Sequence, residues 1–260
     1  MRVTFAAIAL LAAGSAASVS LLAQTPLPAQ TPGDYDRPVS WKTLVPNLGH
    51  DEKDIWLSPA KLNKRKYVWP TLAVIGTAAA LVALDPKDSP PFRTTTAFSG
   101  FNNVFNSSAT AWGTAAVPLA LYTTGWMIKD QRMKNTALLA GEAVANAEIL
   151  TTFLKDVTNR TRPSALQPGQ NFSDTFFDGK GSVLSNRGGF PSGHTIAAFS
   201  VATVIARRYG RTHRWVPWVS YGLAGVVGFS RVSSSDHFVS DVFVGGVLGY
   251  SISRFAVLHE

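Results

Sequence analysis

No cysteine occurs in the 260 residues, so disulfides, thiolate nucleophiles and cysteine-bound zinc or iron–sulfur centres are excluded at the outset. The fold must hold by packing alone. Acidic residues are also few: 16 Asp and Glu stand against 24 Lys and Arg, a formal charge of +8. That balance suits nucleic acid, anionic lipid or a phosphorylated substrate, and by itself selects none of them. Repeats and low-complexity tracts are absent, and no cluster of carboxylates and histidines stands out at metal-ligand spacing apart from the residues singled out below.

What is present begins with residues 1–23, where Arg2 precedes an apolar run and small residues at Ala17 and Ala23. This is the layout of a secretory signal peptide, the alternative being an uncleaved N-terminal anchor. Either assigns the chain to a bacterial-type cell envelope and argues against a nucleic-acid partner. Residues 24–60 are rich in Pro, Gly, Asp and Gln and read as an irregular arm. From 61 to 260 the texture changes to six apolar stretches: Tyr67–Leu84, Ala109–Ile128, Thr136–Leu154, Thr195–Tyr209, Trp215–Phe229 and Val242–Leu258. Their length and Ala/Leu content predict helices, with Asp85-Pro86, Pro90-Pro91, Pro163 and Gly210 as breaks. The expected fold is all-α, a single bundle of about six helices over 61–260. The break from Ser164 to Phe190 is long enough to suggest a lid over a site.

Three polar segments interrupt this apolar background. In the first, Lys155 and Arg162-Pro163 are separated so that a helical course would put both cations on one side, where they could grip an anion. A basic helix terminus facing the macrodipole is the plainer interpretation. In the second, Pro191-Ser192-Gly193-His194 opens an Ala-rich helix. A Ser–Gly helix start offers a hydroxyl and free N–H groups to an anion, or is simply an N-cap with a surface histidine. In the third, Ser230-Arg231 is followed by His237 and Asp241, four residues apart and stacked on one helical face. A carboxylate bonded to one ring nitrogen would fix the tautomer and free the other nitrogen to attack, unless the two form only a surface pair.

Taken together, Lys-x6-Arg-Pro, Pro-Ser-Gly-His and Ser-Arg-x5-His-x3-Asp resemble the signature of the type 2 phosphatidic acid phosphatase superfamily, which includes bacterial acid phosphatases, glucose-6-phosphatase and vanadium haloperoxidases. The resemblance covers about residues 61–260, with every signature position filled. It implies an active site at one end of the bundle, where a phosphate monoester or lipid (di)phosphate is hydrolysed through a covalent phosphohistidine. His237 would be the nucleophile, Asp241 its orienting carboxylate, and His194 the acid and then base. Lys155, Arg162, Ser192, Gly193 and Arg231 would bind the phosphoryl oxygens. No metal or cofactor is implied, and vanadate is expected as an inhibitor. The alternatives are a vanadium-dependent haloperoxidase, in which vanadate is the cofactor, and a catalytically silent envelope-binding protein.

Basic clusters at Lys64–Lys66, at Lys129, Arg132 and Lys134, and at Arg207, Arg208, Arg211 and Arg214 lie on one side of a six-span topology. They would be cytoplasmic, and the motifs periplasm-facing, in an inner-membrane protein. Trp69, Trp112, Trp126, Trp215 and Trp218 fit interfacial belts. A signal peptide followed by six spans gives the opposite parity, and Glu142, Asn146 and Glu148 within one span are costly in lipid, which favours the alternative of a soluble periplasmic domain. Asp174, Asp178 and Lys180 read as loop surface, His213 as part of a basic turn, and His50 and His259 as residues without identifiable partners.

Overall fold

A computed structural model describes residues 39–61, 65–167, 169–177 and 188–259. The segment expected to be a signal peptide, residues 24–38 of the arm, Lys64, Asp178 and Lys180 lie outside these residues. Among the described residues there are helices and turns but no strand. The helices are α1 (Leu44–Lys61), α2 (Arg65–Thr94), α3 (Ser99–Val104), α4 (Ser107–Met127), α5 (Gln131–Thr158), α6 (Gly193–Tyr209), α7 (Val216–Ser233) and α8 (Val239–Ser251). A π-helical turn, Ile252–Val257, follows α8.

The six expected helices are present, with two differences. Residues 44–60, expected to be irregular, form α1: the carboxylate of Asp51, fully buried, accepts a hydrogen bond from Asn146 Nδ2 of α5 at 3.0 Å, a tertiary anchor that local composition cannot reveal. The first of the expected apolar helices, α2, also does not stop at Asp85-Pro86. It continues through Pro86, Pro90 and Pro91 to Thr94. Each interior proline costs roughly 3 kcal/mol, and here Asp85 is fixed on both sides by contacts to Arg160 and Ser240 that hold the helix in place.

The centre of the bundle is α6, packed against α4, α5, α7 and α8. Its Ile196, Val201 and Val204 meet Leu139, Ala140, Ala143 and Ala147 of α5, with Ile252, Val257 and Leu258 closing the cluster. The approach of α8 to α6 depends on missing side chains. A Cβ on Gly249 would collide with the Ile196 carbonyl oxygen, and one on Gly245 would lie 2.9 Å from the Ser192 carbonyl. These glycines set the N-terminal end of α8 against the N-terminus of α6, which brings the second and third motifs together.

The outer helices present apolar surface. Trp69 and Ile75 of α2, Trp112 and Leu119 of α4, and Trp218 and Leu223 of α7 are all exposed. Tyr67–Thr94 and Gln131–Ala165 are long and apolar enough to cross a bilayer; the apolar window of the first is unburied, and that of the second is half buried.

Candidate active site

The three motifs converge at one end of the bundle, where α5 and α7 finish and α6 and α8 begin. Lys155 is buried in the last turn of α5. The helix ends when Asn159 turns left-handed at φ 38°. Arg162 therefore follows in extended backbone and does not share a helical face with Lys155. The turn nonetheless brings the two cations close enough to act on each other electrostatically. Lys155 Nζ stands beside Gly193, 3.4 Å from where a Cβ would be. Arg162 is half-buried, its Cγ 3.3 Å from the equivalent point on Gly189.

Ser192 is the fully buried residue before α6, and its hydroxyl does not cap the helix but accepts a hydrogen bond from Thr195 Oγ1 at 2.9 Å. The opening N–H groups of α6 are thus left without that cap, an arrangement suited to an anion. His194 stands in the first turn, with Nε2 3.0 Å from the Ser107 carbonyl of α4. Burial and then the charge of Arg231 lower its pKa from 6.5 to about 4, so the unliganded imidazole is neutral at physiological pH.

His237 is 3% exposed. The expected hydrogen bond from its ring to Asp241 is replaced by another: Nδ1 is 2.6 Å from the Gly189 carbonyl, and Asp241 Oδ2 is farther off, at 3.5 Å. A carbonyl can only accept, so the proton is on Nδ1 and the lone pair on Nε2. The Asp241 carboxylate is engaged elsewhere. Oδ1 accepts from Arg160 at 2.5 Å, and Oδ2 accepts the Phe238 N–H at the start of α8 at 2.9 Å. It still places a negative charge 3.5 Å from the ring.

Arg231 is buried, and its guanidinium donates to the Phe105 carbonyl, the Ser107 and Ser230 hydroxyls and Asp236. It joins α7 to the start of α4 and contributes positive charge to the site, with its donors already directed at protein acceptors. The Ser164–Phe190 connection contributes walls through its described parts. Backbone bonds from Thr161 to Thr175, Phe177 to Thr158 and Gly189 to Arg160 stitch it to the turn after α5. Asp174 lies on its exposed surface.

The profile of the PAP2 superfamily matches residues 136–259, a span that contains every residue just described at this end of the bundle except Phe105 and Ser107. That span is 124 of the 260 residues, just under half of the chain, and over it the sequence is similar to the PAP2 superfamily. Within the curated proteins, the chain is 39% identical over 65 residues to lipid A 1-phosphatase of Porphyromonas gingivalis, covering 25% of this chain and 15% of that protein. It is 28% identical over 142 residues to bacitracin transport permease protein BcrC of Bacillus licheniformis, covering 54% of this chain and 62% of the relative. The chain thus spans less than two thirds of either relative. No solved structure matches it.

Two further residues of this site carry no motif in the sequence. Arg160, 2% exposed, donates to Thr175, Ser240, Asp241 and, at 2.7 Å, Asp85. Its guanidinium is sandwiched by the rings of Phe176 and Phe238 at 4.3 and 4.0 Å. Asp85, fully buried, reaches this network from α2, outside the PAP2 span. Arg160 falls among the unspecified positions between Lys155 and Arg162, and Asp85 looks like a helix-ending Asp-Pro; the signal that could have found them was a charged residue required in an apolar setting, which needs a partner.

Proposed function

We propose that the chain is a phosphatase acting on a phosphorylated lipid or a related monoester or diphosphate, without a metal, through a covalent bond between phosphorus and His237 Nε2. The observation that carries this reading is the His237 tautomer. With Nδ1–H given to Gly189, the lone pair on Nε2 is available beside a cluster of cations, Lys155, Arg162 and Arg231. The relative from Porphyromonas, a phosphatase of lipid A by name, and the exposed apolar helices support a lipid substrate and membrane association; the positions of the basic clusters are the ground for proposing that the site faces the periplasm.

In this mechanism Nε2 attacks phosphorus as the ester P–O bond breaks. The ring becomes a phosphoimidazolium, still bonded through Nδ1–H to Gly189, and the carboxylate of Asp241 at 3.5 Å stabilises its positive charge. Lys155 and Arg162 with the Gly193 amide hold the equatorial oxygens, and Ser192 shapes the helix start from which they are bound. His194, protonated when the dianion binds beside it, gives its proton to the leaving oxygen. It then takes one from the water that breaks the P–N bond, which returns His237 to its starting state.

Acid-quenched incubation with a phosphate-radiolabelled aryl phosphate tests the reading. An acid-labile, base-stable label on the parent and none on His237→Ala is the expected outcome; equal labelling of both proteins overturns the nucleophile assignment. Turnover should persist in excess chelator and be inhibited by vanadate, whereas activity lost in chelator and restored by a divalent ion would contradict metal independence.

A further inference from the structure

A second cluster lies away from this site. His50 and Asp51 of α1 and His259, which follows the π-helical turn, each offer one ligand atom, and the three atoms lie within 4.8 Å of one another. Two hundred and nine positions separate His50 from His259 in the chain, yet their rings meet edge to face with centroids 5.9 Å apart. We propose that these three residues form a binding site for a first-row divalent cation, zinc fitting best, which clips α1 to the segment after the π-helical turn.

The donor chemistry favours such an ion. Two imidazoles and one carboxylate are a set that zinc and its neighbours prefer over calcium or magnesium, which take oxygen ligands. Around tetrahedral zinc, with bonds near 2.0–2.1 Å, ligand atoms stand about 3.3 Å apart, so the cluster has to contract by roughly 1.5 Å at most. Both imidazoles are exposed and can turn inward.

The surroundings support the ligands as well. Asp51 is fully buried, and its Oδ2 accepts the 3.0 Å hydrogen bond from Asn146 that fixes the carboxylate's orientation. His50 Nδ1 lies 3.7 Å from Asp54 Oδ2, so ligation through Nε2 leaves a carboxylate to hold the opposite ring nitrogen. Metal-binding histidines commonly have such a partner. At His259 the backbone is left-handed, φ 53°. Three protein ligands leave a fourth position for water.

This site is distinct from the phosphoryl pocket. Asn146 and Lys155 are nine residues apart on α5, about 14 Å along the helix. The ion's role is therefore to fasten the fold, and its binding does not depend on the phosphatase reading.

The test uses the full chain in detergent, carrying an affinity tag without histidine, stripped of metal and titrated with zinc alone against a chromophoric chelator. One zinc per chain is expected. The His50→Gln/His259→Gln double variant should bind it at least about 30-fold more weakly, and Asn146→Ala, acting through Asp51, ten- to a hundredfold more weakly. Zinc should raise the thermal midpoint of the parent and not that of the double variant, and X-ray absorption of the bound zinc should show two imidazole ligands. Since both histidines are exposed, the double variant should fold, which its far-UV circular dichroism checks. No stoichiometric zinc on the parent, or equal affinity in parent and double variant, would overturn the proposal.

Discussion

Arg160 shows how much a single residue can carry. Its buried guanidinium lies between two buried carboxylates, Asp85 and Asp241, and two aromatic faces. Removing the cation leaves two negative charges without their partner in an apolar setting, a loss of about 3–5 kcal/mol. Arg160→Met is therefore expected to lower the thermal midpoint by about 2–4 °C per kcal/mol lost. It should also reduce kcat by more than it raises KM, because Asp241 shifts beneath His237. A midpoint equal to the parent's would show that the network contributes little. His194 makes a different prediction, from its pKa of about 4. Because the folded value lies below 6.5, the unfolded chain takes up the proton first as pH falls. The residue's contribution to stability is thus complete above about pH 6.5, declines as pH falls toward 4, and changes no further below. A bound dianion reverses the depression, so sulfate binding near pH 5.5 should take up about one proton. Calorimetry in two buffers of different ionisation heat measures this, and the same uptake in His194→Gln would assign the proton to another group.

At the scale of elements, the glycines of α8 determine whether the halves of the site meet. Gly249→Ala places a methyl group on the Ile196 carbonyl, a backbone atom that cannot move without shifting α6. A loss of about 1–3 kcal/mol or more is expected, with a fall in turnover as His237 and His194 separate. Gly246→Ala is the control on the same helix. Its new Cβ meets only the Phe199 ring at 3.5 Å, ordinary contact, and the better helix propensity of alanine should leave stability unchanged or raised by up to about 1 kcal/mol. Denaturant midpoints of the two variants decide the matter, and indistinguishable values would remove the close α6–α8 approach as the cause. The six apolar helices were legible because length, Ala/Leu content and flanking breakers all agree. The residues of the candidate site could be singled out because their spacings are fixed within three short segments, which the structure brings to one end of the bundle. What was not legible depends on distance in the chain. Helix α1 carries His50, Asp51, Glu52, Lys53 and Asp54 in succession and looks like solvated arm until Asn146 anchors it 95 positions away. The tautomer of His237 is set by a backbone carbonyl, Gly189, and side-chain spacing carries no trace of that bond.

Over the described residues the bundle has a basic end and an end that carries the candidate site, the proposed catalytic end. Lys129, Arg132, Lys134, Arg207 and Arg208 lie where α4 and α6 finish and α5 begins; the phosphoryl site lies where α5 finishes and α6 begins. All five tryptophans assigned to interfacial belts are exposed, Trp218 by 83%, which fits contact with a bilayer along α2, α4 and α7. The side carrying α1 differs. Trp41, just before α1, bonds Tyr122 of α4 near the basic end, and Asp51 and Trp56 of α1 meet Asn146 and Phe153 of α5, so α1 lies alongside α5 toward the catalytic end, with exposed His50 and Lys53 near the middle of α5. Such charged groups are costly in hydrocarbon, so the α1 side is expected to face water or protein while the opposite side meets lipid. On this reading the catalytic end opens to the periplasm. A cysteine at exposed Ser173, the only thiol in a chain without native cysteine, should react with a membrane-impermeant reagent once the outer barrier is opened. A cysteine at exposed Lys129, at the other end, should react only after the inner membrane is lysed. The reverse pattern would place the catalytic end in the cytoplasm. Labelling of both before lysis, together with release by carbonate, would make the domain a peripheral exported one and reduce the apolar helices to a docking face.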